Sequence, residues 1–415
     1  MNRPLRLLNL IRTLDPEAGG PVEGLRQSVA ATRALGHIEE VLTLDDASQP
    51  WVRNFAAPTH ALGPARGNYG YTPRLLPWLR RHAGSYDALV VHGLWQYHGL
   101  LTRRALLGSA VPYFVYPHGM LDPWFKQAYP GKHAKKWFYW MAAERCVLRD
   151  AAAVLFTTQE ESRLAPQTFP LLQARHEVLG YGLALDEAAM RAQASDFLQR
   201  FESLKGSRLL LFLGRLHPKK GCDLLIEAFA AVAPQDRRLH LVMAGPAPAD
   251  LLAALQSQVQ RLGLVERVTF TGMLQGAEKW GALRAAEAFV LPSHQENFGV
   301  AVAEALALGV PALLSTQVNI WREVLGGGAG LAEADTLAGT QRLLSRWLAL
   351  SPEAQALMRA AAAPCFERHF QADAWAQRML ALVRSTRDGG AASRLSSPAI
   401  RHSAHSQPCH TRRPD

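Results

Sequence analysis

Two carboxylates, Glu296 and Glu304, stand in the run His294-Gln295-Glu296-Asn297-Phe298-Gly299-Val300-Ala301-Val302-Ala303-Glu304. An apolar run, Ala288-Phe289-Val290-Leu291-Pro292, precedes it, and Ala305-Leu306-Ala307-Leu308-Gly309-Val310-Pro311 follows. The pattern predicts strand, short loop and helix. Glu296 then falls in the loop and Glu304 in the second helical turn, along one groove and roughly 10 Å apart at about 1.5 Å of rise per residue. Two carboxylates so placed can hold the two ends of one elongated polar ligand. Between them the backbone N–H groups of Phe298, Gly299 and Val300 open the helix, unpaired and at the positive end of its dipole, which makes an anion site. Gly299 lets the backbone come close to a ligand. Hydroxyls at both ends with phosphate in the middle describe a sugar nucleotide.

A second phosphate-type site lies upstream. Leu209-Leu210-Leu211-Phe212-Leu213 is wholly apolar, as a buried parallel strand is. It breaks at Gly214-Arg215-Leu216-His217-Pro218-Lys219-Lys220-Gly221, and helical spacing resumes at Cys222. Strand-to-helix crossovers are where open α/β sheets bind ligands. Arg215 offers a planar fork suited to phosphate and Lys220 a flexible point charge, with Lys219 a solvated neighbour. The P-loop spacing of Gly to Gly-Lys-Ser/Thr is absent.

Gly214-Arg215 with Lys220-Gly221, followed by the glutamate pair around Phe298-Gly299, resembles the C-terminal half of the retaining glycosyltransferases of family 4, which have the GT-B fold. The resemblance extends over roughly residues 4 to 386. It implies that Arg215 and Lys220 bind a donor diphosphate, Glu304 the ribose hydroxyls, and Glu296 with the amides of Phe298, Gly299 and Val300 the transferred sugar. It also implies that the loop Asp15-Pro16-Glu17-Ala18-Gly19-Gly20-Pro21 touches donor phosphate and sugar through Gly19 and Gly20, although a glycine turn needed only for geometry is the competing reading. His118, in Tyr116-Pro117-His118-Gly119-Met120-Leu121-Asp122, resembles the family's cleft histidine that reaches the donor sugar. Asp122 is read as positioning that histidine or the acceptor. His92, at the end of another apolar run, is read as an acceptor-side residue or, equally, a satisfied structural histidine. Where many family members carry an Asn-Gly turn, this chain has Gly180-Tyr181-Gly182-Leu183, which bears on acceptor details more than on the donor.

A chain of 415 residues, 48% hydrophobic and 19% charged, is globular and long enough for two domains. No apolar run reaches membrane-spanning length, and the first residues read as a strand, not a signal peptide. Cys146, Cys222, Cys365 and Cys409 are scattered, so neither a disulfide framework nor a zinc site is indicated, and a reducing cytoplasm fits. The net charge of +10 points to an acidic partner. Nucleotide and anionic membrane fit. Nucleic acid does not, because no recognition signature appears.

Apolar runs alternate with helical stretches, predicting an α/β fold of two Rossmann-like doubly wound domains facing across a cleft. Strands are expected at 5–11, 41–44, 88–91, 113–116, 153–156 and 177–179, then at 209–213, 239–244, 268–270, 289–291 and 311–314. The domains are expected at 1–190 (acceptor side) and 191–386 (donor side), with a last helix at about 373–386 crossing back to the first and a disordered basic tail at 387–415. Gly326-Gly327-Gly328 reads as a flexible loop. The segment 126–145 mixes Lys126, Lys132, His133, Lys135 and Lys136 with Trp137, Phe138, Tyr139 and Trp140, which suits either an anionic bilayer or lipid-diphosphate acceptor, or an ordinary helix with buried aromatics.

The expected activity is hexose transfer from a UDP- or GDP-sugar to a glycan or lipid-linked hydroxyl with retention, in cell-surface polysaccharide synthesis. No cofactor and no metal are expected, since Asp45-Asp46 lacks the Asp-x-Asp spacing. The expected location is cytoplasmic, peripheral on the inner membrane face. A nucleotide-sugar epimerase of the same architecture and a non-catalytic membrane scaffold are the competing readings.

Overall fold

In the computed structural model, which describes residues 3–128, 130–169, 173–185 and 187–395, the apolar runs form two separate sheets. The first contains β1 (Arg6–Ile11), β2 (Ile38–Thr43), β3 (Thr59–Ala61), β4 (Ala88–His92), β5 (Tyr113–Tyr116), β6 (Ala153–Phe156) and β7 (His176–Val178), in the order β3-β2-β1-β4-β5-β6-β7. The second contains β8 (Arg208–Leu213), β9 (Leu239–Ala244), β10 (Val268–Gly272), β11 (Ala286–Leu291), β12 (Ala312–Ser315) and β13 (Gly330–Glu333), in the order β10-β9-β8-β11-β12-β13. Every strand pair is parallel. Helices cover both faces, so the central strands are buried throughout and read as unbroken apolar runs. This is the doubly wound, two-domain α/β architecture expected.

In each sheet the strand order reverses at the centre, between β1 and β4 and between β8 and β11. Loops leaving the carboxyl ends of these strands diverge to opposite faces and leave a crevice. The loops after β1, β5, β8 and β11 carry Gly19, His118, Arg215 with Lys220, and Glu296 respectively, while His92 closes β4.

Two strands lie outside the expected set. β3 is a three-residue edge strand, too short for periodicity to register, and β13 follows the glycine triplet that was read as a loop. That triplet is packed: Gly326 ends the helix Trp321–Gly326, and a Cβ on Gly327 would lie 2.6 Å from the Cys365 sulfur.

The chain passes between the sheets twice, side by side. The Leu183 amide donates to the Phe370 carbonyl (2.8 Å) and the Ala372 amide to the Leu183 carbonyl (3.0 Å). Tyr181 and Leu183 belong to the core around the second sheet, whereas Trp375, Met379 and Val383 pack into the first. The last helix, Ala372–Leu395, lies against the helix Gly20–Ala34. It corrects the expected tail: 387–395 is helical, and 396–415 lies outside the described residues.

Candidate active site

One wall of the crevice is charged. Lys220, at the C-terminal end of the turn Pro218–Lys220, forms an ion pair with Glu296, and each side chain is 17% exposed. Burial, reinforced by the like charges of Lys219 and Arg215, pulls the Lys220 ammonium down to about 7, and the Glu296 carboxylate against it opposes that loss. Glu304, buried on the helix Val300–Ala307, accepts from Lys279 Nζ at 2.6 Å, and that ammonium lies 4.1 Å from the Trp280 ring centroid. Gly299 caps this helix with φ +81° and ψ 66°, a left-handed conformation that glycine adopts without strain. The first amides of the helix, which have no intrahelical carbonyl to donate to, open at this glycine, between Glu296 and Glu304 in the chain. The expectation for Phe298 concerned its backbone amide alone; its ring is buried against Tyr181 (5.1 Å) and Phe370 (5.4 Å), so the side chain packs the crossing point.

The other wall is neutral and buried. His118 is half-buried at the end of β5, with φ +51°, a strained value for a side-chain-bearing residue. Its Nε2 meets His92 Nδ1 at 3.0 Å; His92 Nε2 meets Asn9 Oδ1 at 2.9 Å; Asn9 Nδ2 donates to Glu39 Oε1 at 2.7 Å. The rings of His92, Tyr116 and His118 lie nearly parallel. Burial lowers the basicity of both histidines, His118 to about 4 and His92 well below the usual imidazole range, so both are neutral near pH 7. Burial pushes the Glu39 carboxyl up to about 7 against the opposing Asn9 hydrogen bond.

Contacts from both domains meet across the crevice. Asn297 Nδ2 donates to Thr157 Oγ1 at 3.0 Å, and the buried Glu161 accepts from the Gly119 and Thr157 amides at 2.7 and 2.8 Å. Gly119 has φ +76°, and a Cβ there would lie 2.8 Å from the Asn297 side chain. Lys219 Nζ reaches Gln295 Oε1 at 3.4 Å, whose amide reaches Asp122 Oδ2 at 3.3 Å. A Cβ on Gly19 would lie 3.9 Å from the Arg215 guanidinium, so the first glycine loop and the second-domain arginine face each other. The Tyr181 hydroxyl donates to the Gly20 carbonyl.

Of the two readings of His92, the satisfied structural histidine fits, since it is 7% exposed with both ring nitrogens engaged and backs His118. Two expectations are corrected. Asp122 accepts from the Trp124 amide and Gln295, so it positions a loop and a cross-cleft bridge, with His92 in the place beside His118. Lys219 is half-buried in that bridge, not solvated. Sequence reading missed Lys279, Glu161, Asn9 and Glu39, each of which is separated in sequence from the residue it supports. The one local signal was Asn297, inside the glutamate run. The 126–145 segment divides by face: Trp140 is fully buried, whereas Phe138 is 75% exposed.

Residues 195–362 match the family described as glycosyl transferases group 1, and residues 19–182 match a glycosyl transferase 4-like domain. Among curated proteins, the chain is similar to a mannosylfructose-phosphate synthase of Agrobacterium fabrum, 35% identical over 126 residues (29% of this chain, 28% of that protein). It is also similar to a D-inositol 3-phosphate glycosyltransferase of Segniliparus rotundus, 27% identical over 269 residues (60% and 56%). The matched regions span about a quarter to just over half the length of these relatives. Among solved structures, Anabaena Alr3699/HepE in complex with UDP and glucose superposes with a TM-score of 0.69 at 18% identity, covering 92% of this chain and 100% of that one. The reversed strand order of each sheet, the crevice between them and the likeness to that structure agree on a GT-B fold, with residues 19–182 similar to a glycosyl transferase 4-like domain and residues 195–362 similar to glycosyl transferases group 1.

Proposed function

We propose that this chain transfers a hexose from a nucleotide-diphosphate sugar to an acceptor hydroxyl with retention of anomeric configuration, as the resemblance to retaining family 4 glycosyltransferases implies. The observation that carries the reading is the charged wall, where Lys220 on Glu296 and Lys279 on Glu304 flank the helix start at Gly299 while Arg215 faces the Gly19 loop. A diphosphate entering there would draw Lys220 and Arg215 and accept from the helix amides. Glu304 would take the ribose hydroxyls, and Glu296 the hexose.

In the reaction the bond from the anomeric carbon to the β-phosphate oxygen breaks, and the acceptor oxygen bonds to that carbon on the same face. The acceptor proton passes to the departing phosphate. Charge developing on that phosphate is met by Lys220, Arg215 and the backbone amides, so turnover should persist in EDTA. Loss of activity in EDTA with recovery on adding Mg²⁺ would overturn that part. His118, at the opposite wall, would hydrogen-bond the hexose.

The acceptor is proposed to be a glycan or lipid-linked hydroxyl presented at an anionic membrane surface, in cell-envelope polysaccharide synthesis. Supporting this, no acidic residue occurs between Asp122 and Glu144, and Trp137, Phe138 and Met141 are exposed beside Lys132 and Lys135. No helix among the described residues is long and apolar enough to cross a membrane.

The test is thermal unfolding against UDP, GDP, ADP and their sugars, in parallel with Glu304→Ala. A selective rise for one nucleotide, lost in the variant, is expected. No rise with any of them would remove the reading in favour of a scaffold, and donor turnover without acceptor would favour the epimerase.

A further inference from the structure

Four polar residues the reaction does not touch directly, or touches at one end only, run in a line from the first-domain interior to the crevice. Glu39 and Asn9 are each 2% exposed and His92 7%, and His118 alone is half-buried at the crevice end. Glu39 also lines a cavity of ≈ 20 Å³ with Asn9, Ser28, Tyr181 and Trp375, room for about one water. Its Oε2 and the nearby Thr32 hydroxyl are both buried without a well-formed hydrogen bond. A buried, incompletely satisfied carboxylate is costly, and packing alone does not call for one.

Hydrogen-bond polarity can be followed along the line. Glu39 Oε1 accepts from Asn9 Nδ2 as the ionised carboxylate and equally as the acid with its proton on Oε2 beside Thr32, so Asn9 turns its NH₂ to Glu39 and its carbonyl oxygen to His92. That oxygen only accepts, so the His92 proton sits on Nε2. Because His92 is neutral, its Nδ1 is then a bare acceptor, and the proton in the contact with His118 sits on His118 Nε2. His118 Nδ1 is left bare. Nothing else in the line fixes this direction: with an uncharged apolar side chain at position 39, Asn9 is free to turn over and both histidines exchange tautomers.

We infer that Glu39, acting through Asn9 and His92, is a positioning residue that sets the tautomer of His118, so that His118 meets the sugar as a hydrogen-bond acceptor at Nδ1. The part concerning sugar rests on the proposed transfer reaction; the tautomer does not.

The experiment is ¹⁵N NMR of selectively histidine-labelled protein together with turnover kinetics, on wild type, Glu39→Leu and the paired exchange Asn9→Asp with Glu39→Gln. The exchange keeps both volumes and reverses the amide and the carboxylate, yet still shows His92 an obligate acceptor. Wild type should show His118 protonated at Nε2. Glu39→Leu should shift it toward the Nδ1–H form and lower kcat about tenfold, the scale of one hydrogen bond, with donor KM changed less than about twofold. The exchanged pair should restore both. An unchanged His118 tautomer in folded Glu39→Leu would overturn the inference, as would a changed tautomer with unchanged kcat. If Glu39→Leu does not fold, an exchanged pair with the opposite His118 tautomer would overturn it. A tautomer that responds as described in a protein that transfers no sugar would uphold the relay and remove the transfer reading.

Discussion

The two walls of the crevice solve different electrostatic problems. The second-domain wall holds charges in pairs, Lys220 with Glu296 and Lys279 with Glu304, beside an exposed arginine and a helix start. The first-domain wall holds neutral groups, two deprotonated imidazoles and an amide, ending in one buried carboxyl. A paired charge can exchange its partner for a ligand's phosphate at little desolvation cost. A neutral hydrogen-bonding line cannot neutralise charge but can present one lone pair with fixed direction. On the proposed transfer reading, affinity for an anionic donor resides on one wall and orientation of an uncharged sugar on the other.

Breaking the charged wall should have the largest effect. Lys220→Ala leaves the Glu296 carboxylate without its cation and removes the charge proposed to meet the leaving phosphate, so kcat should fall by about 10²–10³. A fall below about tenfold would show that the wall is not where charge is met. Glu304→Gln should raise donor KM by roughly tenfold or more, the scale of a charged hydrogen bond, and leave kcat nearly intact.

Gly119→Ala tests whether the walls must approach closely. The new Cβ would meet Asn297 at a backbone φ of +76°, so a destabilisation of about 1–3 kcal/mol in thermal unfolding is expected, together with weakened turnover. An unchanged protein would mean that the domains do not close as described.

The walls should also separate by pH. On the proposed reading nucleotide would bind the ammonium form of Lys220, so affinity should fall as pH rises above about 7, measured by calorimetry from pH 6 to 9. Unliganded stability attributable to Lys220 runs the other way. Its folded-state value lies below the ordinary lysine value of 10.5, so that stability is present above 10.5 and is lost as pH falls through about 7.

The smallest effect on turnover is expected behind the neutral wall, where the readout is stability. Glu144, buried and accepting from the Trp95 amide at 3.2 Å, is pushed up to about 8 by burial. A raised carboxyl contributes stability below its ordinary value of 4.5 that is lost as pH rises through about 8. Glu144→Gln should therefore lie close to wild type near pH 5 and exceed it by roughly 4 kcal/mol near pH 9 in denaturant unfolding. An equal difference at both values would show that Glu144 does not titrate there.

Much of this molecule was legible in its residues. Unbroken apolar runs alternating with helical spacing give doubly wound sheets, because a strand covered on both faces has no polar side to show. Glycine-broken strand ends located Arg215, Lys220, Glu296 and His118, because local chain reversal at a sheet's carboxyl edge needs those residue types. The edge strands β3 and β13 escaped notice, being too short or too close to glycine for a pattern to form. What only the tertiary structure decided was partnership: Glu39 beside Asn9, Asn9 beside His92, Lys279 beside Glu304, Tyr181 against Gly20. Parallel strands adjacent in a sheet are joined by crossovers of many residues, so neighbours in space are remote in sequence and no local spacing records them. The sequence determined which chemistry each strand end could offer; the order of strands in the two sheets decided which of those groups meet.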